Sequence, residues 1–265
     1  GIYLYGKKNE EPPIVQPKLK IEFFPEGGNL VSGFTNTIAF KATDENGLPA
    51  PATGMIKNSR GEQVAACSEY HDGMGMFELT PAAGEKYMAV TSAGQFELPA
   101  ATEKGIAIVV IPHPQGYFFE IQQEPTDPAF MSDYMIGQMQ HRVVFRQNFN
   151  GVKGSLQGVI NTQQLRSGIL QVTVFNKEGM PLAERLCFVD NNEYRQPVEL
   201  LADTVDFSAR GRNRFRIAMP DTVMGSISVS ITDAAYDSLP SREENILTTL
   251  LLTSDIKGYV HGPAY

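Results

Sequence analysis

Tryptophan is missing from this sequence, and cysteine and histidine are scarce, with two and four residues among 265. The lack of tryptophan weakens the case for a platform that stacks sugar rings. No Cys, His or Asp cluster has the spacing of a metal site. Cys67 and Cys187 lie in strand-like runs in different halves, so a disulfide would have to join two domains. Two buried free thiols are the favoured interpretation, and the disulfide is the alternative.

The sequence also lacks an apolar run long enough to span a bilayer, and it lacks a secretory signal. Residues 1–5 are followed by lysines, whereas a signal places its charges before its apolar region. The end at residues 262–265 has no terminating feature. We therefore expect a fragment of a longer protein.

The composition is typical of a globular protein, with 42% hydrophobic and 20% charged residues. The length is sufficient for two domains of common size. The net charge of -8 is shared by both halves of the chain, which are each mildly acidic. This balance argues against nucleic acid or an anionic membrane as a partner.

Short alternating stretches bounded by Gly, Pro, Asn or Asp predict an all-β protein of two tandem antiparallel β-sandwich domains. The sequence predicts a linker or tail over residues 1–17 and a first sandwich over 18–111. A second sandwich is predicted over 112–236. The last region, 237–265, is predicted to hold a short C-terminal helix and the start of a further region.

The predicted helix begins at a capping box that runs from Ser241 to Glu244. An apolar face follows this box and is expected to pack on the rest of the protein. The face consists of Ile246, Leu247, Leu250 and Leu251. Before the helix, strands are predicted over residues 198–207, 213–219 and 226–233, as part of the second sandwich.

The chain is organised around a corner of four residues, 25–28, which read Pro-Glu-Gly-Gly after an alternating strand. The proline fixes the entry to this corner, and the glycines can adopt the positive φ of a tight reversal. This corner and three later motifs resemble the bacterial alpha-2-macroglobulin-like surface proteins. The four motifs lie at residues 23–28, 39–47, 71–77 and 81–87.

The resemblance implies tandem macroglobulin-type (immunoglobulin-like) domains in the periplasm or at the outer-membrane surface, some of them associated with TonB-dependent receptor plug regions. It implies a non-enzymatic scaffold for protein binding. The implied partners are other domains of the same longer chain, and a protease or an outer-membrane protein. The alternative is a ligand- or glycan-binding accessory module of an outer-membrane uptake complex. A hydrolase is a third class, and no cofactor is expected.

Two motifs invite chemistry, and each has a structural alternative. Many alpha-2-macroglobulins trap proteases through a Cys-Gly-Glu-Gln thioester. Residues 60–63 read Arg-Gly-Glu-Gln, and Cys67 lies on the wrong side of the glutamine, so we expect a hairpin turn and no thioester. His71 beside Asp72 could bind a metal or transfer protons, but the two glycines that follow predict a turn.

Four arginines alternate along a predicted strand over residues 209–219, so they would line one face of a sheet. Such a row could bind a sulfated or phosphorylated glycan or an acidic partner. The alternative is a solvated face, paired with neighbouring carboxylates. The arginines are Arg210, Arg212, Arg214 and Arg216, and the carboxylates are those of Glu199, Asp203 and Asp206.

The stretch over residues 122–137 is proline-rich at its start and then contains large apolar residues. An exposed, protease-sensitive or partner-binding loop would have this composition. A short helix that covers the open end of the second sandwich is the alternative. The candidate contact residues are Phe130, Met131, Tyr134 and Met135.

Overall fold

A computed structural model describes residues 18–124, 127–220, 226–231, 244–258, 260 and 262–264. The first seven strands form one antiparallel sheet in the order β1-β2-β5-β4-β3-β6-β7. These strands are β1 Lys20–Pro25, β2 Asn36–Thr43, β3 Gly54–Asn58, β4 Gln63–His71, β5 Met74–Leu79, β6 Tyr87–Thr91 and β7 Gly94–Glu97.

The first sheet folds over itself to enclose one core. Alternate residues of β2 point inward, and Ile38 and Phe40 on that strand are buried. They share a single cluster with Ile56 of β3 and Ala89 of β6, from the other half of the sheet. A register shift between Glu69 and His71 in the β4–β5 pair breaks the regular ladder between the two halves. This unit is the first β-sandwich.

Two further antiparallel sheets, ordered β12-β9-β8 and β11-β10-β13-β14, form the second sandwich. Their inner faces meet in one core, in which Phe119 and Ile121 lie in the same cluster as Met135 and Leu170. The strands are β8 Ile106–His113, β9 Gly116–Gln123, β10 Tyr134–Met139, β11 Arg142–Asn148, β12 Leu156–Asn161, β13 Gly168–Phe175 and β14 Pro181–Val189.

The domain boundary predicted between residues 111 and 112 falls inside β8. This strand pairs with β9 along its whole length, and Ile108 lies in the second core. Residues 112–116, at which the boundary was predicted, contain two prolines. They close a hairpin, in which Pro112 is opposite Tyr117 on an edge strand, where a missing N–H is tolerated. We place the boundary between Leu98 and Ile106.

A separate two-stranded antiparallel ribbon follows the second sandwich, with strands β15 Glu199–Thr204 and β16 Arg214–Ala218. These strands were predicted, but as members of the second sandwich, and neither sheet of that sandwich includes them. Residues 226–231, predicted as the start of a strand, are exposed and belong to no strand. Residues 232–233 of that prediction lie outside the described part of the chain. The antiparallel all-β fold itself is confirmed.

A single helical turn, α1 Ile246–Thr248, continues into a π-helical turn, Thr249–Thr253, which contacts β13. Asn245 caps it by accepting hydrogen bonds from the Leu247 and Thr248 amides. The cap predicted at Ser241 lies outside the described residues. Three residues of the predicted apolar face are exposed, namely Ile246, Leu247 and Leu250. No helix among the described residues has the length and hydrophobicity needed to cross a bilayer.

Candidate functional site: the interdomain joint and the arginine ribbon

The corner at residues 25–28 is the joint between the two sandwiches. It reverses the chain after β1, with Gly27 and Gly28 at φ values of 86° and 101°. The Gly28 amide donates to the Pro25 carbonyl at 3.0 Å, and the Glu26 amide donates to Thr37 on β2 at 2.8 Å. These bonds fix the corner to the first sandwich, and its outer side contacts the second.

Glu26 extends from this corner into the second sandwich. Its side chain is only 8% exposed. One oxygen, Oε1, accepts a hydrogen bond from the Val110 amide at 2.9 Å and lies 3.0 Å from Nε of Arg185. Because Val110 is on β8 and Arg185 is on β14, one carboxylate ties the first sandwich to both sheets of the second.

Gly27 brings the backbone of the corner against the second sandwich. It forms an isolated antiparallel bridge with Glu184 of β14, whose amide donates to the Gly27 carbonyl at 3.3 Å. A Cβ on this residue would lie 2.6 Å from Cγ2 of Ile108 and 3.2 Å from Cβ of Ala183. Only glycine fits here, because both the positive φ and the lack of space exclude a side chain.

The segment that connects the sandwiches is held on both sides. Thr102 forms a parallel bridge with Val31, and its amide donates to the Leu30 carbonyl at 2.8 Å. Lys104 then forms an ion pair with Asp127 of the second domain at 2.7 Å. The linker therefore lies in fixed contact with both domains, which adds to the constraint from Glu26 and Gly27.

Burial raises the pKa of the Glu26 carboxyl above its ordinary value of 4.5, and the charge and hydrogen bonds from Arg185 and Val110 offset only part of that effect. The carboxylate is therefore less stable in the folded protein than in water. Its charge depends on Arg185, which is itself 45% exposed. The joint thus contains a titratable group at its centre.

The four predicted arginines do not share one strand, which corrects the prediction of a continuous row. Arg214 and Arg216 lie on β16, but Arg210 has φ 63° and lies with Arg212 in the loop before it. Arg216 forms an ion pair with Asp203 at 2.7 Å, so the predicted pairing with carboxylates holds for this residue. None of the other three has an ion pair among the described residues.

The described residues of the predicted loop over 122–137 belong to the second sandwich, at the end of β9, in a short turn and at the start of β10. A 3-10 turn, Pro128–Phe130, is capped by Asp127, and the Ala129 carbonyl accepts from Asn176 at 3.0 Å. Met135 has no exposed surface and lies in the second core, so its place among surface contact residues is wrong. Phe130 and Met131 are half-buried and retain accessible surface.

Tyr134 lies in a stack across the outer face of the second sandwich. Its ring is nearly parallel to that of Phe175 on β13, with centroids 5.1 Å apart. The guanidinium carbon of Arg146, on β11, is 4.0 Å from the Tyr134 centroid. Because β10 lies between β11 and β13, the two neighbours cover opposite faces of the ring. Tyr134 therefore offers no free aromatic face to a sugar.

The two motifs that suggested chemistry are hairpin turns. Residues 60–63 close β3 onto β4, and Gly61 donates to the Asn58 carbonyl at 2.9 Å. Asp72 and Gly73, with φ 44° and 75°, join β4 to β5. His71 Nε2 is 3.1 Å from Asp72 Oδ2. Within the described residues, no group of three His, Cys, Asp or Glu side chains could hold a metal ion.

Cys67 and Cys187 are both free and buried, as predicted. Burial raises the pKa of the Cys67 thiol. It raises the pKa of the Cys187 thiol to about 11, because the opposing effect of Arg185 is smaller. Thiols of this kind are inert to nucleophilic chemistry near neutral pH.

We expect Cys187 to resist thiol reagents in the native protein. With a pKa near 11, roughly one thiol in a thousand is ionised at pH 8, and burial restricts access to that fraction. Ellman's reagent should therefore label both cysteines slowly in native buffer. Labelling should be rapid in about 6 M guanidinium, which is enough to unfold most small domains. Native labelling as fast as that of free cysteine would contradict the buried placement.

No protein-family model matches the sequence, and no curated protein matches it significantly. The chain is similar to a solved domain of a biofilm-associated protein, its BSP domain, at 14% identity, with 65% of this chain and 30% of that chain covered and a TM-score of 0.29. It is also similar to the tandem immunoglobulin repeats of Dlar, at 16% identity, with 65% of this chain and 97% of that chain covered and a TM-score of 0.27.

A third similar structure is the adhesin InvE of Yersinia pseudotuberculosis, at 12% identity, with 68% of this chain and 62% of that chain covered and a TM-score of 0.27. This chain spans less than a third of the biofilm-associated chain and less than two thirds of the adhesin. Because every one of these TM-scores is below 0.5, the assignment of the fold rests on the strands and cores described above.

Proposed function

We propose that the chain is a non-enzymatic scaffold, in which two β-sandwiches are held in a fixed mutual orientation to present surfaces for protein binding. The observation that supports this role is the corner at residues 25–28, which inserts a buried carboxylate and a close-packed glycine into the second domain. Separate domains connected by a free linker would need neither feature.

The resemblance to bacterial alpha-2-macroglobulin-like surface proteins gives this scaffold its proposed setting, an extracytoplasmic one at the cell envelope. Its proposed partners are the other domains of a longer chain, and a protease or an outer-membrane protein such as a TonB-dependent receptor. A glycan-binding role is less well supported, because Tyr134 is covered by Phe175 and Arg146.

The distance between two spin labels, one on each sandwich, tests the fixed orientation. Glu45 and Gln163 are exposed, lie on different sandwiches, and can be replaced by cysteine while Cys67 and Cys187 stay buried. We expect double electron–electron resonance to give one narrow distribution of distances between the two labels. Its width should match that of a control pair within the second sandwich, Gln163→Cys with Glu178→Cys. A distribution several times broader than the control would overturn the proposal.

A further inference from the structure

The ribbon of β15 and β16 has an apolar face that is largely exposed to solvent. Leu200 is opposite Ile217, and Ala202 is opposite Phe215, so these four side chains share one face. Leu200 is 68% exposed and Phe215 is 51% exposed. A two-stranded sheet is marginally stable alone and normally buries such a face.

The opposite face of the ribbon and its connecting loop carry four arginines. Residues 198–218 contain four arginines against three carboxylates, within a chain whose net charge is -8. Asp203, the extra residue at a register shift in β15, is paired with Arg216. Arg210, Arg212 and Arg214 are all exposed and have no ion pair within the described part of the chain. Three exposed arginines without an ion pair in that part of the chain therefore lie on β16 and in the loop before it.

The outer edge of β16 has no paired strand among the described residues. Its only hydrogen-bonded neighbour in that part of the chain is β15, so no described strand pairs with the backbone groups on its other side. The next strand-like segment along the sequence after β16 is residues 226–231, in which serine alternates with isoleucine and valine. This segment is not paired with β16, and Ile231 in it is 86% exposed. It also has no carboxylate to place against the arginines.

We infer that the outer edge of β16 binds an acidic, extended segment of a partner protein as a third strand. Main-chain hydrogen bonds would join the segment to β16, as in other cases of strand addition. Because side chains alternate along a strand, carboxylates at every second position would face Arg214 and Arg216. The intervening apolar side chains would lie beside Phe215 and Ile217 on the same face of the enlarged sheet and would contact the flanks of these two side chains.

This inference rests on the proposed function, since it names the class of partner that the scaffold holds. Its test does not involve the joint, and the spin-label distance does not involve the ribbon. A rigid joint with a ribbon that binds nothing would therefore remove only the inference. A flexible joint with a ribbon that binds would remove only the fixed orientation.

The test uses the full chain and a fluorescein-labelled peptide in which glutamate and valine alternate for six residues between Ser-Gly ends. Fluorescence polarisation should show saturable binding that weakens several-fold when salt rises from about 0.05 to about 0.5 M. A peptide with lysine in place of glutamate should not bind. Equal binding of the two peptides would overturn the inference.

Matched variants locate the binding site on the ribbon. Arg214→Glu should weaken binding about tenfold because it replaces an attraction with a repulsion. Arg142→Glu, on the exposed edge strand β11, should leave binding unchanged. Phe215→Ser should weaken binding, whereas Phe207→Ser, at a residue 96% exposed and outside both strands, should not. Unchanged binding in Arg214→Glu or Phe215→Ser would overturn the inference.

Hydrogen exchange in the free protein tests whether the edge is already occupied. If residues 226–231 form the third strand in solution, the amides of Ile227, Val229 and Ile231 would be protected. That result, with no peptide binding, would overturn the inference and assign the edge to the chain's own segment. Rapid exchange at these amides is the result that we expect.

Discussion

Replacing Gly27 with valine should destabilise the protein by about 3 kcal/mol and weaken the contact between the two sandwiches. A side chain at this residue would collide with Ile108 and Ala183 on the second domain, at 2.6 and 3.2 Å for Cβ alone. It would also hold a β-branched residue at φ 86°, where such residues are strained. Denaturant unfolding followed by circular dichroism measures the loss.

Gly28→Val is the matched control for this prediction. Gly28 has φ 101°, so valine there would carry a comparable backbone strain, but no atom lies within 4 Å of the point that its Cβ would occupy. The difference between the two variants isolates the collision with the second sandwich. Equal destabilisation would show that the corner is only a strained turn. Gly27→Val should also broaden the Glu45–Gln163 spin-label distance distribution, and Gly28→Val should not.

Sequence alternation was sufficient to predict the antiparallel all-β fold, because each half-buried strand carries its own pattern. It also predicted the corner as a tight reversal, from the proline and glycines alone. What contacts the corner could not be predicted, since Glu26 bonds to Val110, 84 residues away, and to Arg185. Neither partner has a local signal, because an arginine and a buried valine on strands are common.

The candidate contact residues were harder to predict than the strands. Arginine occupies every second position of residues 210–216, but Arg210 adopts φ 63°, and the strand begins only at Arg214. The period of two therefore does not extend over the whole row. Met135 was misplaced because a short run of apolar residues does not show which parity points inward. The burial of Met135 depends on the opposite sheet, which contributes Phe119 and Ile121 to the same core.

Replacing Arg185 with methionine should destabilise the protein by about 2 kcal/mol at pH 7, because it leaves the buried Glu26 carboxylate without its cation. This value is below the range of about 3–5 kcal/mol for a fully buried pair, because Arg185 is 45% exposed. Glu26→Gln with Arg185→Met should recover most of the loss. Glutamine can still accept the Val110 hydrogen bond and carries no charge. Arg60→Met, which breaks an exposed pair with Glu62, should change stability by less than about 1 kcal/mol.

The pH dependence of these variants tests the same contact. Because the pKa of Glu26 is raised on folding, the folded state holds this proton more tightly than the unfolded chain does. The stability of the wild type relative to Glu26→Gln should thus be greatest below pH 4.5 and fall as pH rises through the raised pKa. Removal of Arg185 removes an effect that lowers this pKa, so the fall should extend to higher pH in Arg185→Met. A pH profile parallel to that of Glu26→Gln would show that folding does not raise the pKa of Glu26 and would contradict this prediction.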